Sequence, residues 1–271
     1  MKKTFFSPTR MIHTKHYRNM TDIIYYYKVN IADKKIEIEC CYKRVFLLCR
    51  DYLSTFDAPD FVVRSSKSEI REEGARELGV DADYINDVNW KEGVAIEFVD
   101  AESIIILRKI ADEMLNFGVL LVHGAAIAVE NKCFIFIAPS GTGKTTHVKK
   151  WLKMYPDAYV VNGDKPFVDV YRKIAYGSPW CGKESMHTNT GVPVAGIVYL
   201  EQGEHNRISD LSFREMLPHL LRQCYIPAAA EQVEKACKLI GELNNIPFYK
   251  LTCNMDDEAA VISYEKLMNN R

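Results

Sequence analysis

Short apolar segments with the pattern of β-strands fill much of the first hundred residues. Ile36–Cys40 alternates apolar and polar residues at period two, which is typical of a half-buried strand. Five segments are predicted as strands, the first two as a hairpin: Ile23–Val29, Lys35–Cys41, Val45–Cys49, Asp60–Val63 and Val94–Val99. Lys67–Leu78 has apolar residues at helical spacing and precedes Gly79, a residue type that commonly ends helices. Residues 1–100 are therefore predicted to form a mixed α+β lobe.

From residue 101 onward, apolar strands alternate with helices. The predicted helices are Ser103–Asn116, a helix from near Lys144 to about Met154, Phe213–Tyr225, Ala229–Leu243 and Asp256–Asn269. The predicted strands are Gly118–Val129, Lys132–Ile137, Ala158–Val161, Phe167–Val170, Ile174–Tyr176, Val194–Leu200 and Phe248–Leu251. Runs that are apolar throughout are typical of strands buried on both faces. The pattern predicts an α/β fold, with residues 101–271 as the second domain.

Composition narrows the classes of function. Of the 271 residues, 35 are Lys or Arg and 36 are Asp or Glu, so charge-driven binding of nucleic acid is not expected. The longest nearly apolar stretch, Val119–Val129, is shorter than the ~20 residues that a membrane-spanning helix needs, and no export signal is found. None of the eight cysteines forms a C-x-x-C pair, which disfavours a disulfide framework and a thiolate metal site. A cytoplasmic protein with no membrane partner is expected.

A glycine-rich segment follows the predicted strand Lys132–Ile137. Residues 138–146 read A-P-S-G-T-G-K-T-T, which fits the Walker A pattern G-x-x-x-x-G-K-[ST] with Ala138 at the first glycine position. Glycines let such a loop turn several peptide N–H groups toward phosphates, and the helix that follows adds its positive end. The predicted phosphate-binding residues are Ser140, Gly141, Thr142, Gly143, Lys144, Thr145 and Thr146. The alternative is a glycine-rich strand–helix turn with an exposed lysine.

Four side chains are candidates for the chemistry around a bound triphosphate. The Lys144 ammonium is expected to bind phosphate oxygens, and the Thr145 hydroxyl to bind Mg²⁺. Asp164 follows the apolar segment Ala158–Val161, where a carboxylate can also reach Mg²⁺, although an Asn-Gly-Asp-Lys-Pro turn would suit the same residues. His123 lies in an apolar run that is expected to pair beside the phosphate-loop strand. Taken alone, a histidine there is more often a hydrogen-bonded core residue.

A second unusual loop, Gly177–Glu184, follows the predicted hairpin. Trp180 is expected to form a wall of a substrate site, and Lys183 to pair with phosphate. The alternative is a tight corner in which Trp180 fills the core. Cys181 is not favoured as a nucleophile because no His/Asn arrangement can be assigned to it.

The order of these motifs resembles the HPr kinase/phosphorylase family. The resemblance rests on His123-Gly124, a strand, Ser140–Thr146 and an apolar strand ending at Asp164, and it covers roughly residues 100–200. That family shares its P-loop core with phosphoenolpyruvate carboxykinase, so the resemblance implies a carboxykinase-like P-loop core with a mixed β-rich N-terminal lobe. Ser178–Lys183 looks closer to HPr-kinase-like proteins of bacterial gene clusters, some of which phosphorylate serine in peptides.

Roles follow from the resemblance position by position. It implies that Lys144 holds the β- and γ-phosphates, that Thr145 and Asp164 bind Mg²⁺, and that His123 contacts the transferring phosphate. The family has an Asp-Asp pair where this chain has Gly163-Asp164. In the family, that pair divides metal binding and the role of the base. Either Asp164 does both here, or His123 or Glu184 assists, or activity is weakened. Carboxykinase motifs beyond the loop and the arginine-rich loop of phosphorolysis are not found, so neither decarboxylation nor the reverse reaction is expected.

The leading expectation is an enzyme, a kinase that uses ATP and Mg²⁺. It would transfer the γ-phosphoryl group to a hydroxyl, that of serine in a peptide or protein or that of a small molecule. A nucleotide-binding regulator or partner-binding subunit without catalysis is the alternative, motivated by Gly163. An NTPase that couples hydrolysis to movement is disfavoured because no second conventional Walker B strand or arginine finger can be assigned. The acceptor, the choice of ATP or GTP, and homo-oligomerisation are left open by the sequence.

Overall fold

The computed structural model describes residues 13–16, 23–79 and 95–269 of the chain. They belong to two compact units, Met1–Ile110 and Ala111–Arg271. The fold class is mixed α/β, as the sequence predicts. One helix, Ala95–Met114, runs through the domain boundary predicted between residues 100 and 101, which stays a prediction.

A four-stranded sheet organises the first unit. Its strands, in spatial order, are β1 (His13–His16), β2 (Ile23–Ile31), β3 (Lys34–Cys40) and β4 (Phe61–Arg64). β2 and β3 form the predicted hairpin, and Ala32 and Asp33 at its tip have φ of 52° and 58°, as a two-residue type I′ turn requires. β4 confirms the strand predicted over Asp60–Val63 and runs parallel to β3.

Among the residues described in this unit, the α-helices are α1 (Lys43–Leu48), α2 (Lys67–Leu78) and the start of α3 (Ala95–Met114). α2 has the predicted bounds. Ser66 and Glu69 form a reciprocal capping box at its start, and Gly79 ends it with a left-handed φ of 69°.

Two predicted strands of the first unit are wrong. Val45–Cys49 lies mostly in α1, and Ala95–Val99 is the first part of α3, while Val94 falls outside the described residues. A short apolar run does not distinguish a strand from a buried helix. Length decides between them for α3, because Ile106 and Ile110 continue its buried face well beyond a strand's span.

A mixed nine-stranded sheet forms the centre of the second unit. Its strands are β5 (Val119–Leu121), β6 (Gly124–Val129), β7 (Lys132–Ile137), β8 (Tyr159–Asn162), β9 (Phe167–Asp169), β10 (Ile174–Tyr176), β11 (Gly191–Gln202), β12 (Arg207–Leu211) and β13 (Phe248–Cys253). Its helices are α4 (Lys144–Met154), α5 (Phe213–Gln223), α6 (Ala230–Glu242) and α7 (Glu258–Asn269). The order is β5-β9-β10-β11-β7-β6-β8, and β13 pairs with β11 and β12. β7, β11 and β13 are parallel, so their carboxyl ends lie at one edge.

Both faces of this sheet are covered by helices. On one face Ile135 belongs to the same core cluster as Leu220 of α5 and Ile240 of α6. On the other, Phe136 packs with Trp151 of α4 in the cluster that includes residues of α7. Burial on both faces explains why the central strands are apolar throughout.

The segment Gly118–Val129, predicted as one strand, is two. β5 pairs with β9, whereas β6 pairs with β7 and β8, so the chain changes partners at Val122 and His123. Gly124 permits the change, since a Cβ there would lie 3.0 Å from the Phe136 carbonyl oxygen. β12 was not predicted, because this partly exposed strand lacks the apolar pattern of a core strand.

No helix in the described part of the chain is both long and apolar enough to cross a membrane.

Candidate functional site

The predicted phosphate-binding loop lies between the carboxyl end of β7 and the start of α4. Gly141 and Gly143 have φ of 80° and 112°, in the left-handed region that favours glycine. A Cβ at either position would meet no atom within 4 Å, so the requirement for glycine is conformational. Ser140 and Thr146 are exposed, and Thr145 is half-buried at the start of the helix. The loop therefore has the backbone freedom and the helix N-terminus that phosphate binding requires.

Lys144 is held inside the loop. Its Nζ donates to the Ala138 carbonyl oxygen at 2.8 Å and lies 3.3 Å from that of Pro139. The residue is only 8% exposed, and desolvation lowers the pKa of Lys144 while the nearby Asp164 charge opposes that shift. The ammonium is thus satisfied by carbonyl oxygens that a phosphate oxygen could replace.

Asp164 is placed between two nitrogen donors. His123 Nε2 lies 3.2 Å from Asp164 Oδ1, and Lys165 Nζ lies 3.0 Å from Oδ2. Burial opposes ionisation of Asp164, but the His123 hydrogen bond and the Lys165 charge outweigh it and lower the pKa of Asp164 to about 2. The carboxylate is therefore ionised at neutral pH, with each oxygen already engaged.

The backbone around Asp164 is fixed by Asn162, which sequence reasoning missed. Asn162 Oδ1 accepts the N–H groups of Asp164 at 2.8 Å and Lys165 at 2.6 Å, which makes an Asx turn. Its Nδ2 donates to the carbonyl oxygen and to the Oγ of Ser178, both at 3.0 Å. Asn162 is fully buried, and its hydrogen bonds to Ser178 tie this turn to the loop that follows. An Asn at the end of a buried strand, two residues before an Asp, was the available signal.

Gly163, the residue before Asp164, has no room for a side chain. A Cβ there would lie 2.9 Å from the Cys181 carbonyl oxygen and 3.3 Å from that of Met186. Its N–H also donates to Met186 at 2.9 Å. The packing of the loop that follows therefore leaves room only for glycine at position 163.

His123 is anchored at the change of strand partners. Its N–H donates to the Gln223 carbonyl oxygen at 2.7 Å, and the N–H of Gly124 donates to the Asp164 carbonyl oxygen at 2.9 Å. Gly124 also pairs with Ile137, the last residue of the strand that enters the phosphate loop. The imidazole remains 31% exposed, so His123 is a half-open site residue and not a sealed core histidine.

The loop at 177–184 passes over Asp164. A Cβ at Gly182 would lie 3.2 Å from the Asp164 Cβ. Trp180 is buried, as the core-filling alternative expects, and burial raises the pKa of the Cys181 thiol, which disfavours a thiolate. Glu184 pairs with Lys149 of α4 at 2.9 Å. Lys183 is exposed, and its ammonium has no hydrogen bond or ion pair within the described ranges.

A cavity of about 360 Å³ borders the predicted phosphate-binding loop. It is lined by residues of the phosphate loop, by His147 and Lys150 of α4, and by residues at and just after the carboxyl ends of β11 and β13. Burial and the Lys150 charge lower the pKa of His147 to about 3, so this wall is a neutral imidazole. Gln202 donates from Nε2 to the Thr142 carbonyl oxygen at 3.2 Å, which ties the cavity wall to the loop. A cavity at the carboxyl ends of parallel strands is a common ligand position in α/β proteins.

The donor groups present fit Mg²⁺ that arrives with a nucleotide. No cluster of three or more His, Cys, Asp or Glu residues suited to a metal is found among the residues the structure describes. Mg²⁺ bound to nucleotide phosphates needs only one or two protein oxygens, and Thr145 and Asp164 offer a hydroxyl and a carboxylate.

No protein-family model matches this chain, and no curated protein matches it in sequence.

Proposed function

We propose that this chain is an ATP- and Mg²⁺-dependent kinase, similar to the HPr kinases, that transfers the γ-phosphoryl group to a hydroxyl. The observation that carries the proposal is the 3.2 Å contact between His123 and Asp164 next to a Walker A loop with two left-handed glycines. Such a loop alone serves many nucleotide-binding proteins, whereas an oriented imidazole beside it offers a proton acceptor. A carboxykinase-like P-loop core with a mixed β-rich N-terminal lobe is part of the same proposal.

The nucleotide would bind across the loop. The phosphates would replace the carbonyl partners of Lys144 and accept hydrogen bonds from the N–H groups around Gly141 and Gly143. The nucleoside would enter the cavity lined by His147 and Lys150. Mg²⁺ would neutralise phosphate charge, with Thr145 and Asp164 as the residues that would hold it.

His123 is the proposed proton acceptor. A carboxyl group with a pKa of about 2 is a weak base, so Asp164 suits metal binding and orientation better than proton abstraction. When His123 is neutral and donates from Nε2 to Asp164, Nδ1 carries the lone pair. The acceptor hydroxyl oxygen bonds to the γ-phosphorus, its proton passes to Nδ1, and the bond to the β–γ bridging oxygen breaks. ADP leaves with that electron pair.

Lys165 is a further cation for this step, and sequence reasoning missed it. Its ammonium pairs with Asp164 Oδ2, and the Lys165 carbonyl oxygen accepts from Ser178 Oγ at 2.6 Å. If Asp164 binds metal through Oδ2, the Lys165 ammonium is released toward the transferring phosphate. Lysine acts there as a mobile point charge.

The test separates binding of ATP from transfer. Mg·ATP affinity is measured by calorimetry. Transfer of the phosphoryl group from γ-labelled ATP is measured with two sets of acceptors, a cell extract and a panel of peptides and polyols. His123→Ala is expected to lower transfer by about 10²–10⁴-fold and to leave Mg·ATP affinity within a factor of about three. His205→Ala, which replaces an exposed histidine of the same unit, is the control and should change neither. Failure of the wild-type protein to bind Mg·ATP would refute the proposal.

A nucleotide-binding regulator is the second candidate, and the packing at Gly163 favours it. The chain has one carboxylate where the family has two, and no space in which to restore the other. Tight Mg·ATP binding with no transfer to any acceptor, and with His123→Ala without effect, would support the regulator.

A further inference from the structure

Lys150 of α4 carries a buried ammonium group at the cavity beside the phosphate loop. The residue is only 9% exposed, yet it lines the cavity. Its Nζ donates to the Asp256 carbonyl oxygen at 2.8 Å, and no other hydrogen bond or ion pair of this ammonium is found among the residues described. An ammonium has three N–H donors, and most buried polar groups are hydrogen-bonded. A buried cation with unused donors at a cavity wall therefore indicates a ligand that accepts from it.

Three neighbours locate the ammonium at the cavity wall. Asp256, its carbonyl partner, directly follows the cavity residue Met255. After burial, the Lys150 charge is the second cause that lowers the pKa of His147, and it partly offsets the burial that raises the pKa of Cys253. His147 and Cys253 both line the cavity. The Lys150 ammonium therefore lies where α4 meets the chain after β13, among the residues that form the wall.

Lys150 lies one helical turn beyond the part of α4 that is suited to phosphates. Thr146, in the first turn of α4, also lines the cavity, and Lys150 is four residues further, about 6 Å along the helix axis. Free N–H groups and the positive end of the helix act on anions mainly within the first turn. A nucleotide with its phosphates at the loop would therefore present its nucleoside to Lys150.

The wall around Lys150 suits an uncharged ring. With a pKa of about 3, His147 is a neutral imidazole, and Cys253 is a neutral thiol because burial raises its pKa. Met255 adds a thioether, a group that packs favourably against aromatic rings. No carboxylate is found among the described residues that line the cavity. A flat aromatic ring with hydrogen-bond acceptors on its edge fits such a wall, and an acceptor atom is what the ammonium lacks.

We propose that Lys150 recognises the base of a bound purine nucleotide by donating a hydrogen bond to an acceptor atom on the edge of the ring. This inference rests on the nucleotide-dependent function proposed above. The acceptor is either a ring nitrogen of adenine or the keto oxygen of guanine, and both offer the same chemistry to an ammonium. Lys150 is then a residue that determines specificity for the base.

The experiment measures by calorimetry the affinity of the full chain for Mg·ATP, Mg·GTP and Mg·tripolyphosphate. Tripolyphosphate has a phosphate chain and no base, so it reports on the loop alone. The wild-type protein is expected to bind one of the two nucleotides more tightly than the other. The tighter one identifies the acceptor that Lys150 contacts.

Lys150→Met keeps the unbranched shape of the side chain and removes the ammonium. It is expected to weaken binding of the preferred nucleotide about tenfold or more, because a hydrogen bond from a charged group is lost, and to leave Mg·tripolyphosphate affinity within about twofold. A lysine that only holds Asp256 in place predicts no such dependence on the base. Lys153→Met is the matched control, since Lys153 lies on the same helix, pairs with Asp257 at 2.7 Å and does not line the cavity. It should leave all three affinities unchanged.

Nucleotide analogues test the same contact in the wild-type protein. If ATP is preferred, 1-deaza-ATP, 3-deaza-ATP and 7-deaza-ATP each lack one ring nitrogen; if GTP is preferred, 2-aminopurine riboside triphosphate lacks the keto oxygen. One analogue is expected to bind the wild-type protein about tenfold more weakly than its parent nucleotide does, and to bind Lys150→Met as tightly as the parent does.

Three results would overturn the inference. They are an unchanged nucleotide affinity in Lys150→Met, a parallel loss of nucleotide and tripolyphosphate affinity, and analogues that all bind the wild-type protein as tightly as their parent. Mg·ATP binding by the wild-type protein in any of these cases leaves the kinase proposal standing. Failure of the wild-type protein to bind any of the three ligands refutes both.

Discussion

Replacing Gly163 by alanine tests whether the single carboxylate is enforced by packing. The new Cβ would lie 2.9 Å from the Cys181 carbonyl oxygen, a distance that real Cβ atoms essentially never show. The oxygen is part of the backbone and a Cβ is bonded directly to the backbone, so neither atom can move away without a shift of the backbone. The loop at 177–184 would have to move by about half an ångström. Overpacking of this kind costs about 1–3 kcal/mol of unfolding free energy.

The assay is urea unfolding at pH 7, paired with Mg·ATP binding and phosphotransfer. Gly163→Ala is expected to lose about 1–3 kcal/mol and to lose transfer more than binding, because the displaced loop covers Asp164 and not the phosphate loop. Gly163→Asp should be less stable still and should gain no activity.

Gly241→Ala is the matched control for the same substitution. Gly241 lies inside α6, where a Cβ would meet nothing within 4 Å, so alanine is expected to stabilise the protein by about 0.5–1 kcal/mol. Wild-type stability in Gly163→Ala, or increased transfer in Gly163→Asp, would show that the loop does not exclude a side chain.

Two further predictions concern the charged groups of the site. Lys144→Ala is expected to lower phosphotransfer about a thousandfold, equivalent to about 4 kcal/mol, whereas Lys153→Ala on the exposed face of the same helix should have no measurable effect in the same assay. Asp164→Asn should remove a pH-dependent part of stability. The folded pKa of about 2 lies below the usual 3.8, so the stabilisation is nearly complete above about pH 5 and is lost as the pH falls toward 2. With partial exposure discounted, the full stabilisation is about 1–2 kcal/mol, and somewhat less than half of it, about 0.5–1 kcal/mol, is expected to be lost between pH 6 and pH 3. It is measured as the change, between these two pH values, in the difference in unfolding free energy between wild type and variant. A difference that does not change with pH would contradict the assigned contacts of Asp164.

The sequence predicted best those features that depend on neighbours along the chain. The strand β7, the left-handed Gly141 and Gly143, and the helix starting at Lys144 all follow from one local pattern. α2 was also predicted correctly, because its cap residues adjoin it. The errors at Val45–Cys49 and Val94–Val99 arose where a short apolar run alone had to distinguish strand from helix.

The site required contacts between distant residues, which the sequence does not state. Asn162 could be recognised as a turn residue, but its hydrogen bonds to Ser178 depend on how the later loop folds back. Gly163 was interpreted as a lost carboxylate, whereas the reason for glycine is the position of Cys181. Gln223 carried no signal at all, since only the tertiary register brings it to His123.

In the proposed kinase, the glycine at position 163 would affect the charge around Asp164 as well as the number of metal ligands. Lys144 and Lys165 both act on Asp164, and Gly163 contributes no second negative charge to balance them. In the proposed kinase, such a site would attract phosphate more strongly than one with two carboxylates, because its local charge would be more positive by one unit. Against the effect of burial, the His123 hydrogen bond and the Lys165 charge lower the pKa of Asp164, so proton transfer in the proposed reaction would depend on another group. Of the residues in contact with Asp164, His123 is the one whose second ring nitrogen is available for it.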